Sequence, residues 1–142
     1  MEIDKNINKL PSAQKQRLAY IDFCLEYFGQ ISRIELSEHF GVGVTSCSRD
    51  FALYRKLAEN NLDFRHSGKQ YVRTDSFQPL FKHNADSALK SLSNGFGDGI
   101  AIQYPINSYC YDAVHLIHPK PQIVASLMRA IFSNLNVEIV YQ

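Results

Sequence analysis

The chain has 142 residues, a formal net charge of +1, and 45% hydrophobic and 12% aromatic residues. This length fits one domain or two very small ones, and the apolar content is sufficient for a packed core, which excludes a largely disordered chain. Between Thr45 and Thr74 there are six Lys or Arg and three acidic residues. The excess positive charge therefore lies in one segment and indicates a negatively charged partner there.

The first predicted element is a helix that begins after Pro11 and Ser12. Its apolar residues recur at spacings of three and four, which places them on one stripe: Leu18, Ile21, Leu25 and Phe28. Gly29 follows, and glycine is favoured directly after a helix because it adopts positive φ without strain. The pattern predicts that this helix ends at Gly29.

The second predicted element is a short helix in "ISRIELSEHFG", residues 31–41. Ser32 and Glu35 have the spacing of a capping box, in which each side chain satisfies a backbone N–H of the other residue. Leu36 and Phe40 are four residues apart and face the same side, and Gly41 is suited to end the helix. A helix of about two turns is unstable alone, so this element must pack against others.

The third helix is predicted in "VTSCSRDFALYRKL", residues 44–57, after a tight turn at residues 41–43. Cys47, Phe51 and Tyr54, followed by Ala58, recur every three or four residues and form its inner face. The outer side of its first turns carries short hydroxyls and a guanidinium: Thr45, Ser46, Ser48 and Arg49. A short helix, a glycine turn and a longer helix form the helix-turn-helix pattern.

A β-hairpin is predicted in "LDFRHSGKQYVRT", residues 62–74, with its loop at Ser67-Gly68. Closing this loop pairs Phe64 with Tyr71, so the two rings lie on one face and can pack on the helices. Basic side chains crowd the tip: Arg65, His66 and Lys69. Three helices and a two-stranded basic hairpin indicate an α+β fold, the winged helix-turn-helix.

The outer face of the third helix and the hairpin tip have the chemistry that DNA requires. Free N–H groups at the start of a helix favour phosphate oxygens, short side chains allow close approach, and arginine can bind phosphate or guanine. The candidate DNA-binding residues are Thr45, Ser46, Ser48, Arg49, Arg55 and Lys56 on the helix and Arg65, His66 and Lys69 on the wing. The alternative is that Arg49–Asp50 and Arg55–Lys56 are ordinary solvated charges.

The remaining residues divide into a connector and a second α/β segment. We predict a linker helix at residues 84–94, a break in "NGFGDG" at 94–99 and one or two short strands within 100–118. Pro119 and Pro121 open a helix with apolar residues at four-residue spacing, Ile123, Leu127, Ile131 and Leu135. A strand follows in "VEIVYQ", residues 137–142. The expected units are residues 1–80, 81–118 and 119–142, the last resembling the truncated start of a second domain.

Other kinds of site are poorly supported. Cys110, His115 and His118 match no common zinc-ligand spacing, and "GFGDG" lacks the Lys-Ser/Thr ending of a phosphate loop. No residue lies in a recognisable nucleophile pattern, so we predict neither an enzyme nor a cofactor. The odd number of cysteines, among apolar neighbours, indicates reduced thiols. We expect no signal peptide and no membrane span, and hence a cytoplasmic protein.

Residues 16–81, with "SRDF" at 48–51, are similar to the N-terminal winged helix-turn-helix of WYL-domain transcriptional regulators, nearest to repressors that lie beside phage-defence operons. Residues 111–141, with "VASLMRAI" and "VEIVY", resemble the helix and first strand that open the WYL domain. The chain has no tryptophan, so the motif that names the family is absent. The resemblance implies DNA contacts from the third helix and the wing, and an effector site that cannot be assigned here.

These observations predict a sequence-specific transcriptional regulator, expected to be a repressor, that binds double-stranded DNA as a homodimer on a nearly palindromic site. A different class of function is a winged helix that binds another protein and no DNA. A third is an RNA or single-strand binder, which needs exposed aromatic rings for stacking, whereas Phe64 and Tyr71 are expected in the core.

Overall fold

The computed structural model describes residues 6–83 and 120–140. Its helices and strands, in chain order, are α1 (Ser12–Tyr27), β1 (Gln30–Ser32), α2 (Arg33–Phe40), α3 (Val44–Leu57), β2 (Leu62–Arg65), β3 (Gln70–Arg73) and α4 (Pro121–Phe132). The predicted winged helix-turn-helix is confirmed. The elements predicted at 84–94, 94–99 and 100–118 lie outside the described residues. None of the described helices is both long enough and apolar enough to cross a bilayer.

Helix α1 is the central helix of the core. Leu18, Ile21 and Leu25 of its predicted stripe are fully buried, and Phe28 is half-buried at the edge of the core. The backbone N–H groups of residues 28 and 29 both donate to the carbonyl oxygen of Cys24, and Gly29 has φ 79°. The predicted stop at Gly29 is confirmed, because the left-handed conformation turns the chain out of the helix at low cost.

The predicted helix-turn-helix geometry is confirmed by its caps. Ser32 Oγ accepts from the Glu35 N–H at 3.1 Å, and Glu35 Oε2 accepts from the Ser32 N–H at 2.5 Å, which completes the capping box. Gly41 has φ 64° at the end of α2. Ser37 Oγ then donates to the Val42 carbonyl at 2.6 Å, so the turn into α3 is held by α2 itself.

The sheet differs from the predicted two-stranded hairpin because β1 joins it as a third antiparallel strand. The strand order is β1-β3-β2, with Tyr71 paired to Phe64 on one side, as predicted, and to Ile31 on the other. The Arg73 N–H also donates to the Gly29 carbonyl at 2.8 Å. Three residues are too few to show strand periodicity, so the pairing of β1 depends on the turn at Gly29.

The wing is fastened to α3 by aromatic stacking. The rings of Phe51 on α3 and Tyr71 on β3 stack with centroids 4.0 Å apart and planes 7° from parallel. Phe64 lies beside Tyr71 with ring centroids 5.0 Å apart. Such pairs add about 0.5–1.5 kcal/mol to the burial of the rings themselves. As predicted, Phe64 and Tyr71 are paired on one face of the hairpin, but they are not core residues as expected, because both rings are half-buried, with Tyr71 packed against the edge of the core.

A buried carboxylate joins α1, α3 and the segment that follows the wing. Asp22 on α1 is 0% exposed, and it accepts from the Tyr54 hydroxyl, from the backbone N–H groups of Leu80 and Phe81, and from His83. The backbone contacts measure 3.1 and 3.0 Å and the His83 Nε2 contact 2.9 Å. Burial raises the pKa of Tyr54, so its hydroxyl keeps the proton that it donates.

Asn61 extends this network to the end of α3. Its Nδ2 donates to Tyr54 Oη at 3.1 Å and to the Gln78 carbonyl at 2.7 Å, while its Oδ1 accepts from the Gln78 N–H at 3.0 Å. The side-chain amide thereby pairs with the backbone of residue 78 in the manner of a neighbouring strand. The chain after the wing is thus tied to both α1 and α3 through polar groups.

Helix α4 begins at Pro121 as predicted, but it buries a different face. The predicted stripe is partly exposed, at 56% for Ile123 and 38% for both Leu127 and Ile131. The side that joins the core with α1 consists of Val124, Ala125 and Met128. The helix is apolar on two sides, so the four-residue spacing alone could not identify the buried one.

Arg129 of α4 reaches the C-terminal end of α1. Its Nη1 donates to the Glu26 carbonyl, and its Cδ lies 3.6 Å from where a Cβ on Gly29 would stand. Helix α4 therefore contacts the turn that leads into β1. The predicted division at residues 81 and 119 stays a prediction.

The strand predicted at residues 137–142 is wrong for its described part. Residues 135–140 have no regular secondary structure, and Val137, Ile139 and Val140 are at least half exposed. A strand is stable only when its backbone groups bond to a partner strand, and no described strand lies beside this one. Its alternating pattern was therefore not enough to make it a strand.

We expect Asp22→Ala to lower the free energy of unfolding by at least about 3 kcal/mol, because it leaves the Tyr54 hydroxyl and two backbone N–H groups buried without an acceptor. The measurement is urea unfolding followed by circular dichroism. The matched control is Asp75→Ala, an exposed aspartate, which should change stability by less than about 0.5 kcal/mol. Equal effects of the two substitutions would refute the structural role of Asp22.

Candidate nucleic-acid interface

The outer face of α3 carries most of the predicted residues. Thr45, Arg49 and Lys56 are exposed and recur at intervals of four and seven, so they share one face of the helix. Ala52 lies between them on the same face and is also exposed. Because the side chain of Ala52 is small, a partner can approach the helix backbone closely between Arg49 and Lys56.

The N-terminal end of α3 presents free backbone donors. The residue before the helix is Gly43, and no described side chain caps this end, whereas α2 has a complete capping box. The first turn of α3 has no acidic residue, and its last turn carries Arg55 and Lys56. The free N–H groups and the positive end of the helix dipole favour an anion at this position.

Arg55 and Lys56 are exposed at the other end of the helix. Arg55 lies ten residues beyond Thr45, or about 15 Å along the axis. The two residues therefore cannot contact the same group as Thr45, and they fit a second position on an extended partner. Their location at the helix C-terminus also offsets the dipole, so a purely structural role explains part of their presence.

The wing tip carries the second group of predicted residues. Arg65, His66 and Lys69 are all exposed. The Lys69 N–H donates to the His66 carbonyl at 3.2 Å, and Gly68 and Lys69 have φ 85° and 52°. The hairpin closes in the predicted register, with Phe64 opposite Tyr71, but residues 66–69 form a four-residue turn in place of the predicted two-residue loop. The His66 ring stands edge-on to Phe64 at 5.0 Å, which orients the imidazole at the base of the tip.

Ser46 and Ser48 are only half exposed, and Ser48 is already engaged. Its hydroxyl donates to the Val44 carbonyl at 3.0 Å and accepts from Arg33 Nη1 at 3.2 Å. This is the usual bond of a helical serine to the residue four positions earlier. Ser48 therefore differs from Thr45 and Arg49, whose side chains are exposed on the outer face.

Arg33 was not among the predicted site residues, yet it lies at this surface. It is the first residue of α2, and its guanidinium reaches across to α3. A basic residue in the first turn of a helix is unfavourable to the dipole. The unfavourable position of this positive charge at the start of α2 was the sequence signal that could have identified Arg33 as a candidate site residue.

Asp50, next to Arg49, is not a solvated charge. Its side chain is 1% exposed, and Oδ2 lies 2.6 Å from Nε of Arg17 on α1. Gln14 Nε2 also donates to Asp50 Oδ1, at 3.1 Å. The hydrogen bond to Asp50 raises the pKa of Arg17. The alternative that treated Arg49–Asp50 as an ordinary surface pair is therefore wrong for Asp50, which anchors α3 to α1.

The described residues contain no cluster of side chains suited to a metal ion. Cys110, His115 and His118 lie outside them. Cys24 and Cys47 are free and buried, as expected, and burial raises the pKa of both thiols. Two small apolar thiols in a packed core have no access to a substrate, and this agrees with their predicted structural role.

Comparison with known proteins places this surface in a family context. Residues 13–94 match the family model described as the BrxR transcriptional regulator winged helix-turn-helix domain. This match covers α1 to β3 and therefore includes both α3 and the wing. It covers more than half of the chain.

Curated relatives extend the similarity beyond that domain. Proteins named DNA-binding transcriptional repressor CapW are 31% identical over 140 residues in Escherichia coli (strain KTE188) and 31% over 136 residues in Pseudomonas aeruginosa. Each alignment covers 91% of this chain and 45% of the relative. A protein of the same name from Stenotrophomonas maltophilia is 28% identical over 143 residues. The chain thus spans about half the length of the curated relatives it matches.

We expect substitutions at two neighbouring residues of α3 to differ strongly in their effect on stability. Asp50→Ala should lower the free energy of unfolding by about 2–3 kcal/mol. This loss is smaller than the usual cost of breaking a buried ion pair, because Arg17 can turn towards solvent once its partner is removed. Arg49→Ala should change it by less than about 0.5 kcal/mol, since Arg49 is exposed. Urea unfolding monitored by circular dichroism measures both. A large loss in Arg49→Ala would place Arg49 in the core network.

Proposed function

The chain belongs to the family of BrxR transcriptional regulator winged helix-turn-helix domains, and on that premise we propose that it is a sequence-specific repressor that binds double-stranded DNA. The observation that carries the proposal is the outer face of α3, where Thr45 and Arg49 are exposed beside an uncapped helix N-terminus. A convex helix with free donors at one end fits the major groove. The proteins named as repressors among its relatives support the direction of regulation.

The proposed docking places the first turns of α3 in the major groove. The backbone N–H groups at Val44 and Thr45 then point towards a phosphate, while Arg49 reaches a base edge or the adjacent phosphate. Lys56 and Arg55, about 15 Å further along the helix, meet the backbone on the far side of the groove. Asp50 keeps this helix fixed on α1 through Arg17.

The wing supplies the second contact. Arg65, His66 and Lys69 are exposed at a tip whose hairpin is stacked on Phe51 of α3. Because the wing is fixed to the recognition helix, its charges approach the DNA at a defined distance from Arg49. Such contacts to the phosphates or the minor groove contribute affinity and register more than sequence preference.

The partial burial and the stacking of the aromatic rings on the wing favour duplex DNA over a single strand as the ligand. Phe64 and Tyr71 are the aromatic residues of the wing, and Tyr71 is stacked on Phe51. Both rings are half-buried and lie against other rings, Tyr71 against Phe51 and Phe64 beside Tyr71 and His66, whereas single-strand binders stack bases on exposed aromatic faces. The rival function, a winged helix that binds protein alone, does not need the basic residues of the tip.

We also propose that binding involves a homodimer on a nearly palindromic site, and that residues 119–142 are the start of a WYL-like domain. Two-fold helix-turn-helix proteins commonly bind half-sites one turn of DNA apart. The similarity to the relatives covers 91% of the chain and so continues beyond the winged helix. The link to phage defence rests on the resemblance of residues 16–81 to such repressors.

The test is selection of duplexes from a randomised library by this chain, followed by fluorescence anisotropy on the recovered sequence and on a scrambled duplex. We expect tighter binding to the recovered duplex and a steep loss of affinity with salt. Arg49→Ala should weaken binding to the recovered duplex about fivefold to 150-fold, which corresponds to about 1–3 kcal/mol.

The matched control is Lys82→Ala, which removes one exposed charge. The neighbouring His83 bonds Asp22 and lies 3.8 Å from Glu26, far along α1 from the start of α3. This variant should bind like the unmodified chain. If Arg49→Ala and Lys82→Ala lose equal affinity, the binding is general electrostatic attraction. If the folded chain selects no duplex, the rival function as a protein-binding module is favoured.

A further inference from the structure

Resting on the proposed function, we infer that Arg33 of α2 binds a DNA phosphate beside the recognition helix and that Ser48 is the residue that positions it. Ser48 was predicted from the sequence as a direct DNA contact, and Arg33 was not predicted. The hydrogen bond between them indicates instead that Arg33 contacts the DNA and that Ser48 holds Arg33 in place.

The hydroxyl of Ser48 has no proton left for DNA. It donates that proton to the Val44 carbonyl at 3.0 Å and accepts from Arg33 Nη1 at 3.2 Å. Phosphate oxygens, and the N7 and O6 atoms of guanine, only accept hydrogen bonds. Ser48 in this conformation therefore cannot bind them, whereas the guanidinium attached to it can.

Within the described part of the chain, the guanidinium of Arg33 makes one hydrogen bond, to Ser48. It carries five N–H bonds, and the contact with Ser48 uses one of them. No carboxylate of the described residues lies within 4.0 Å of it, since the ion pairs there involve Arg17 and His83. Glu35, the nearest acid along α2, is engaged with the Ser32 N–H in the capping box.

Arg33 differs in this respect from the structural arginines. Arg17 ends on the buried carboxylate of Asp50, and Arg129 ends on the Glu26 carbonyl. Arg33 donates to the hydroxyl of Ser48, which itself donates to the Val44 carbonyl. Arg33 is half-exposed, so its remaining donors are available to a group outside the described residues.

The position of Arg33 favours a phosphate over a base. It begins α2, the helix that crosses the DNA backbone in helix-turn-helix complexes, while α3 enters the groove. Exposed apolar side chains flank it, Ile34 at 59% and Val44 at 47%. A phosphate brought against this surface would lose water around the ion pair, which strengthens a two-donor contact from arginine.

The test uses anisotropy over a series of salt concentrations, on the selected duplex and on the scrambled one. Arg33→Gln removes the charge but keeps an amide that can donate to Ser48, so the fold is preserved. We expect it to weaken binding to both duplexes by the same factor and to reduce the salt slope by about 0.9. Lys82→Ala should leave the slope unchanged, and circular dichroism confirms that each variant is folded.

Two further variants separate positioning from contact. Arg33→Lys keeps the charge, so the salt slope should stay while affinity falls, because an ammonium cannot make the two-donor contact. Ser48→Ala should likewise keep the slope and lower affinity. In the double variant Ser48→Ala with Arg33→Gln, the combined loss should be smaller than the product of the single losses, since both remove one contact.

Each contrary result has a separate meaning. If Arg33→Gln binds as the unmodified chain while Arg49→Ala does not, the role of Arg33 is refuted and the proposed function stands. If the loss is confined to the selected duplex, Arg33 binds a base and the phosphate assignment is wrong. If the unmodified chain binds no duplex, both proposals fail together.

Discussion

The winged helix depends on one buried carboxylate, that of Asp22. It accepts from Tyr54 on α3 and from two backbone N–H groups after the wing, and so joins three parts of the chain at one point. In the low dielectric of a core these bonds are strong, and an unpaired group would be costly. Asn61 completes the network by pairing with Tyr54 and Gln78. The relative position of α1, α3 and the returning segment is therefore fixed by polar contacts as well as by apolar packing.

This inner network leaves the outer side of α3 exposed. Tyr54 and Asp50 face α1, where one bonds Asp22 and the other bonds Arg17, while Arg49 stays exposed. The wing is coupled to the same helix through the stacking of Tyr71 on Phe51. This stacking fixes the wing against the helix, and preorganised contacts bind at a lower entropic cost.

Predictions from local sequence signals are accurate where the interacting groups are close along the chain. The capping box of Ser32 and Glu35, the stop at Gly41 and the pairing of Phe64 with Tyr71 each involve residues a few positions apart. Predictions failed where the outcome depends on a distant partner. The strand β1, the buried side of α4 and the absence of a strand at 137–140 are of this kind.

The sequence by itself determined the winged helix-turn-helix class and the exposed basic residues of α3 and the wing, because capping, turn chemistry and hydrophobic period are local properties. Only the tertiary structure decided that Asp50 is buried against Arg17 and that Ser48 is held by Arg33. Asp50 and Arg17 are separated by 33 positions along the chain, and Ser48 and Arg33 by 15, and each contact joins two different helices. A side chain's partner across such a separation is fixed by how the helices pack, and no spacing along the chain specifies it.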